Sequence, residues 1–264
     1  MQAAECSSET HAAPQQLTVY VIVGSHACRT ATLMLEHKGI AHRTVELPSG
    51  LHPLLIRACG FPGNAGPVRS IDGSHPRMLT ALDRLGTVPA VRAGNHRVQS
   101  NHDIARYLDS VSPDPPLFPT DAARMTAVEE AESWGDQTLQ MAARRLALSS
   151  SLDDLHMRGA DGRLGPLLAR QSVLRAALSR VAGQPFNSGP QAERQLLREV
   201  PMLLDQIDEW IADGRIGGDE PNAADFTIAP SLALLSYRRD LEQAIADRPA
   251  GAFLDTLLPL PATS

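Results

Sequence analysis

The chain has 264 residues, of which 43% are hydrophobic, enough for two modest domains with a sizeable core. Its formal net charge of −6, from 24 basic and 30 acidic residues, argues against nucleic-acid binding, for which a basic stripe is expected. No apolar run approaches the roughly 20 residues of a membrane-spanning helix, and three cysteines (Cys6, Cys28, Cys59) do not make a disulfide framework, so a cytoplasmic protein with free thiols is expected.

Residues 1–16 are polar and small, without the charged start and apolar centre of a signal peptide, and read as a flexible leader. Residues 17–23 (LTVYVIV) are β-branched and apolar up to Gly24, the mark of a buried strand. A helix over 28–38 follows, capped by Gly39, and a second strand covers 42–47. A β-α-β unit with so short a crossover predicts parallel strands. Residues 52–59 read as a short helix ending at Gly60. Residues 63–86 form a long connection, either a lid or a surface decoration. Residues 90–92 and 96–98 make a hairpin about Ala93-Gly94-Asn95, and 100–110 an amphipathic helix with Ile104, Tyr107 and Leu108 on one face. The prolines of residues 112–119 exclude regular structure and mark a linker. Beyond it, residues 121–151, 163–181, 192–212 and 223–237 all read as helices. The spacings of His11, His26, His37 and His42 give no metal-ligand arrangement, and no Gly-rich nucleotide loop is present, so no metal is expected.

Two stretches carry chemistry. In Thr87-Val88-Pro89-Ala90, a proline enters a strand and gives up a ladder donor, which calls for a positional reason. A cis peptide at a tight turn supplies one, and exposes the Val88 backbone to an extended ligand that pairs as an added strand. Gln99-Ser100 then offers an amide, a hydroxyl and helix N-terminal N–H groups for a carboxylate. These features describe a pocket for a small peptide-like thiol.

The order β-α-β-α, Val-Pro turn, β-β-α, proline-rich linker and helical domain is similar to the cytosolic glutathione transferase superfamily over nearly the whole chain from Leu17. Thr87-Val88-Pro89 resembles its cis-proline turn, and Gln99-Ser100 its pair that holds the γ-glutamyl group. Leu117-Phe118-Pro119 resembles the hydrophobic plug of its linker, and Pro221-Asn222-Ala223-Ala224-Asp225-Phe226 its buried helix start. The resemblance implies a thioredoxin-like α/β domain over 17–111, with an insertion at 64–86. It further implies a linker at 112–120, an all-helical bundle over 121–254 and a tail at 255–264. At the buried helix start, Asn222 and Asp225 form a reciprocal capping box, a structural assignment.

By the same resemblance, Ser25 falls at the catalytic position. Cys28 falls where thioredoxin relatives carry the second cysteine of a Cys-x-x-Cys pair, so a two-thiol cycle is not available here. A helix N-terminus stabilises an anion, and Ser25 would donate a hydrogen bond to the sulfur of bound glutathione, or of another low-molecular-weight thiol. Ser25 as a plain N-cap, Cys28 as a packed side chain and His26 as a solvent-facing or tuning residue are the competing readings. The proline usual after the catalytic position is replaced by His26 and Ala27. Val88, Pro89, Gln99 and Ser100 are assigned to thiol binding, and the alternative for Ser100 is a helix cap. The wall for an electrophilic small molecule falls on the first long helix of the second domain, where Trp134, Gln137, Met141, Arg144 and Arg145 recur at helical spacing. A homodimeric bacterial transferase without nucleic-acid or membrane partners is the leading expectation. Thiol-assisted or thiol-independent isomerisation or ring opening, and a non-catalytic binding module on the same fold, are the alternatives.

Overall fold

A computed structural model of the protein describes residues 17–22, 24–63, 86–150, 155, 162–164 and 189–260. The leader, residues 64–85 of the insertion expected over 64–86, and nearly all of the helix expected over 163–181 lie outside the described residues.

Strand β1 (Leu17–Val21) is followed by helix α1 (His26–His37) and strand β2 (His42–Glu46), which pairs with β1 in parallel. Short helix α2 (His52–Ala58) comes next, then the antiparallel hairpin of β3 (Ala90–Ala93) and β4 (His96–Gln99) and helix α3 (Asn101–Val111). The sheet order is β2-β1-β3-β4, with β3 antiparallel to β1. Every residue of β1 is buried, as expected of a central strand covered on both faces. The connection into β3 passes close over α2. A Cβ on Gly86 (φ +153°) would stand 2.3 Å from Ile56 Cγ2, so this position tolerates only glycine.

The second half is helical. Helix α4 (Ala122–Trp134), a π turn (Gly135–Leu139) and helix α5 (Gln140–Ser149) run on as one rod. They are followed by α6 (Pro190–Ala212), α7 (Ala223–Ser236), α8 (Arg239–Ala246) and α9 (Pro249–Leu257). The last two helices have no counterpart in the sequence reading, and α9 runs past the boundary expected at residue 254. Its Pro249 sits at a helix start, where its missing N–H costs nothing.

Helix α7 is buried along its full length and packs against α1, so one apolar core joins the two halves. Its start satisfies its own donors as the sequence predicts. Asn222 Oδ1 accepts from the Ala224 N–H (2.9 Å), and Asp225 Oδ2 accepts from the Asn222 N–H (2.8 Å). Asp225 Oδ1 takes a further bond from the Gly217 N–H at 2.6 Å. The linker plug is also present. Leu117 is fully buried and its carbonyl accepts from the Ala223 N–H (2.9 Å). Two ionic ties complete the junction. Lys38, with its side chain wholly buried, meets Asp109 at 2.6 Å and donates to the carbonyls of Ser112 (2.6 Å) and Pro115 (2.7 Å). Arg106 of α3 pairs with buried Glu132 of α4 (2.9 Å) and stacks on Phe118, 4.5 Å from the ring centroid.

Candidate active site

The β1–α1 turn forms the site's floor. Ser25 caps α1 in extended conformation, and its Oγ accepts from the Cys28 N–H at 3.4 Å. A serine hydroxyl also carries one donor, so capping leaves the Ser25 O–H able to bond a ligand. The Val88–Pro89 peptide is cis. The β1–β3 register runs Thr18↔Arg92, Val19↔Val91, Tyr20↔Ala90. Continued by two residues, it sets Val88 opposite Ile22, three residues ahead of Ser25. The Val-Pro turn and the start of α1 thus occupy the same end of the sheet.

Cys28 and His26, the candidates for catalysis or tuning beside Ser25, are both buried. Cys28 is only 3% exposed, and its Sγ accepts from the Ile22 N–H at 3.3 Å. Burial pushes the thiol upward, and the bonds from Ile22 and Ser25 and the charge of Arg144 oppose this incompletely. Cys28 is a packed thiol that braces the turn, not a nucleophile. His26 does not face solvent. It is buried, with Nε2 3.2 Å from the Gln140 carbonyl oxygen of α5. Burial first and Arg144 second lower its pKa to about 3, against the raising effect of the Gln140 bond, so the ring is neutral and donates to that carbonyl. It ties the two halves together at the start of α1.

Gln99, assigned to thiol binding, lies beside the Val-Pro turn. Its side chain is occupied by backbone, accepting from the Gly63 N–H (3.0 Å) and donating to the Thr87 carbonyl (3.0 Å). It therefore shapes the segment entering the Val-Pro turn. Ser100 is the cap of α3, accepting from the Asp103 N–H at 3.2 Å. Its φ of 69° is the one positive value for a non-glycine among the described residues, a strained conformation typical of functional sites. The next residue, Asn101, escaped the sequence reading. It opens α3, is 4% exposed, and its Oδ1 is buried without a hydrogen-bond partner among the described residues. An asparagine after a serine at a helix start reads as one more cap, so only three dimensions reveal an acceptor with nothing to accept.

The second half contributes a polar ladder. The π turn carries Asp136, whose Oδ1 accepts from Gln140 Nε2 at 2.5 Å, while Gln140 Oε1 accepts from Arg144 at 2.9 Å. A second bond from Arg144 goes to Met141 Sδ (3.4 Å). The charge of Arg144 acts on His26 and Cys28 of α1 and on His52 at the start of α2. Arg145 is not among the charges acting on those three groups; it is half-buried, about 100° further round the helix. Trp134 is half-buried and packs against the core, edge-on to Trp210 with centroids 4.9 Å apart. Gln137 turns back on Ser133 of its own helix (2.9 Å). Two further titratable residues, Asp136 and His52, are perturbed by burial and by Arg144 without a signal in the sequence. The His52 Nδ1 is buried and unpartnered among the described residues, and burial followed by Arg144 lowers the ring to about 4.

No family model matches the sequence, and no curated protein matches it. Among solved structures, the chain is similar to a glutathione-transferase-like protein from Pseudomonas syringae at a TM-score of 0.58 and 18% identity, covering 92% of this chain and 67% of that one. A glutathione S-transferase from Sinorhizobium meliloti aligns at 0.56 and 16% identity, over 93% and 89% of the two chains. One from Ceriporiopsis subvermispora, solved in complex with glutathione, aligns at 0.58 and 15% identity, over 93% and 97%. The protein has the fold of the glutathione transferases.

Proposed function

We propose that this chain binds glutathione, or a thiol of similar build, at the start of α1 and activates it for attack on a small electrophile. The observation that carries this reading is the meeting, at one sheet end, of the Ser25-capped helix start and the Val88–Pro89 turn. A thiolate at a helix N-terminus gains from the unpaired N–H groups and the positive end of the dipole. The Ser25 hydroxyl adds a hydrogen bond to the sulfur, and the Val88 backbone pairs with the extended ligand. Strained Ser100 and the unpaired acceptor of Asn101 support a polar head-group site beside them. In this reading the enzyme is a cytoplasmic bacterial homodimer that attaches sulfur to an electrophilic carbon; burial of Cys28 makes the bound thiol, not a protein cysteine, the nucleophile.

The test is conjugation of a chloronitroarene. Ser25→Ala removes cap and donor together and is expected to cost about 1 kcal/mol of stability and at least roughly tenfold in kcat/KM, the loss of one hydrogen bond to a charged partner. Ser25→Asp keeps a cap acceptor for the Cys28 N–H but offers no hydroxyl donor. It should retain stability and lose turnover. Wild-type turnover in both variants would refute the assignment.

A further inference from the structure

This acidic chain keeps one surface almost free of acid. Over residues 42–63 and 86–99, Arg43, Arg57, Arg92 and Arg97 stand with a single carboxylate, Glu46. The sheet register gathers three of them. Arg43 lies opposite Thr18, Thr18 opposite Arg92 and Arg92 opposite Arg97, one row across all four strands. Side chains alternate between the faces of a strand. Two residues on from Thr18, Tyr20 packs with Ile56 of α2 and with Phe61, whereas Val19 and Val21 join the core of α1 and α7. The arginine row therefore lies on the α2 face of the sheet, and Glu46, opposite Val21, falls on the other face.

The turn after α2 draws three guanidiniums together. Arg57 Nη1 donates to the Pro62 carbonyl. Arg97 Nε donates to the Cys59 carbonyl at 3.2 Å, and its Nη1 to that of Asn95 at 3.3 Å. The Arg97 guanidinium lies over Gly60, where a Cβ would stand 3.1 Å from Nε. Arg92 lies over the Tyr20 ring, 5.8 Å from its centroid, and that ring meets Phe61 edge-on at 5.5 Å. Cys59 to Pro62 spans at most roughly 11 Å of chain. None of the three arginines has a carboxylate partner among the described residues, and most of their N–H donors stay open. Like charges directly opposite across a strand pair repel, so Arg92 and Arg97 cost stability unless an anion lies between them. A carboxylate presents one edge to one guanidinium fork, whereas a phosphoryl group presents three oxygens and up to two charges. We propose that Arg57, Arg92 and Arg97 bind a phosphoryl group, carried by a small soluble phosphate or by a lipid head group. The site is separate from the proposed thiol pocket: it lies on the sheet face opposite α1, and four residues of chain, roughly 13 Å when extended, part Arg92 from Val88.

Pyrophosphate is titrated calorimetrically into the full-length protein in buffer free of other phosphate and sulfate, and vesicles of phosphatidylcholine with phosphatidic acid are tested by co-sedimentation. Wild type should bind at least one of the two saturably. Arg92→Gln and Arg97→Gln should each weaken that binding at least roughly tenfold, the loss of a charge-assisted hydrogen bond. Arg194→Gln removes the same charge from an exposed position on α6 and should change it less than about twofold. In urea melts Arg92→Gln should be no less stable than wild type, since it relieves the like-charge pair. Binding of pyrophosphate without vesicles assigns a soluble phosphate, and the reverse a lipid head group. Binding of neither, or binding weakened equally by all three variants, overturns the proposal.

Discussion

Lys38 is the only lysine in the chain, and it is spent on structure. Its ammonium has three donors, and Asp109, Ser112 and Pro115 take them all at 2.6–2.7 Å with no side-chain exposure. The last residue of the α1 region thereby holds the linker. Lys38→Met leaves Asp109 with only the Leu117 and Phe118 N–H groups and strands two carbonyls, and should cost about 3 kcal/mol, the lower range for breaking a buried pair. Amine reagents should leave Lys38 unmodified in the native protein and label it in denaturant; urea melts and mass spectrometry check both, and native labelling would contradict the burial. The sequence exposed this residue only as a compositional oddity. Likewise, nothing near His26 in sequence announces Gln140, more than a hundred positions on, whose carbonyl its ring meets.

Elements were far more legible than side-chain roles. Alternation and β-branching gave β1 and β2, Gly39 and Gly60 marked the ends of α1 and α2, and Ala-Gly-Asn marked the hairpin. The Asn222–Asp225 box was readable because both partners lie within one helical turn, so the motif is complete in sequence. The π turn was not. A one-residue insertion into a helix leaves the local pattern helical and shows only as a shift of face. Helices α8 and α9 lie beyond the last helix of the sequence reading, and Arg-Arg-Asp and Asp-Arg-Pro stand at their starts. The structure turns both arginines into anchors, Arg238 on Glu193 and Asp240 and Arg248 on Asp205 and Asp208. Helix α3 begins at Asn101, one residue after its Ser100 cap, and an asparagine next to a cap carries no further signal in sequence, so Asn101 stands outside the sequence reading.

At the scale of the molecule, the two halves meet along α1 and α7, and the site lies at one end of that seam. His26 makes the junction sensitive to pH. Its folded pKa of about 3 lies below the ordinary 6.5, so between these values the unfolded chain binds the extra proton. The stability this neutral ring protects is complete above pH 6.5 and drains as pH falls toward 3, at most about 1.4 kcal/mol per unit. Asp225, raised to about 6 by burial against its two backbone bonds, slopes the other way over the acidic range, so wild type alone does not isolate the histidine. His26→Gln does, since an amide can still donate to the Gln140 carbonyl and has no proton to gain. The stability advantage of wild type over His26→Gln should shrink by about 2 kcal/mol between about pH 7 and pH 4.5; an advantage equal at both, measured by urea unfolding, would show that the ring is not held neutral.

The most direct measurement of the whole account is a crystal structure of the protein with glutathione. The expected result has the sulfur in hydrogen-bond reach of Ser25 Oγ, with the peptide portion paired to the Val88 backbone and the head group against Ser100 and Asn101. Glutathione bound away from the α1 start, or density absent at saturating concentration, would contradict it.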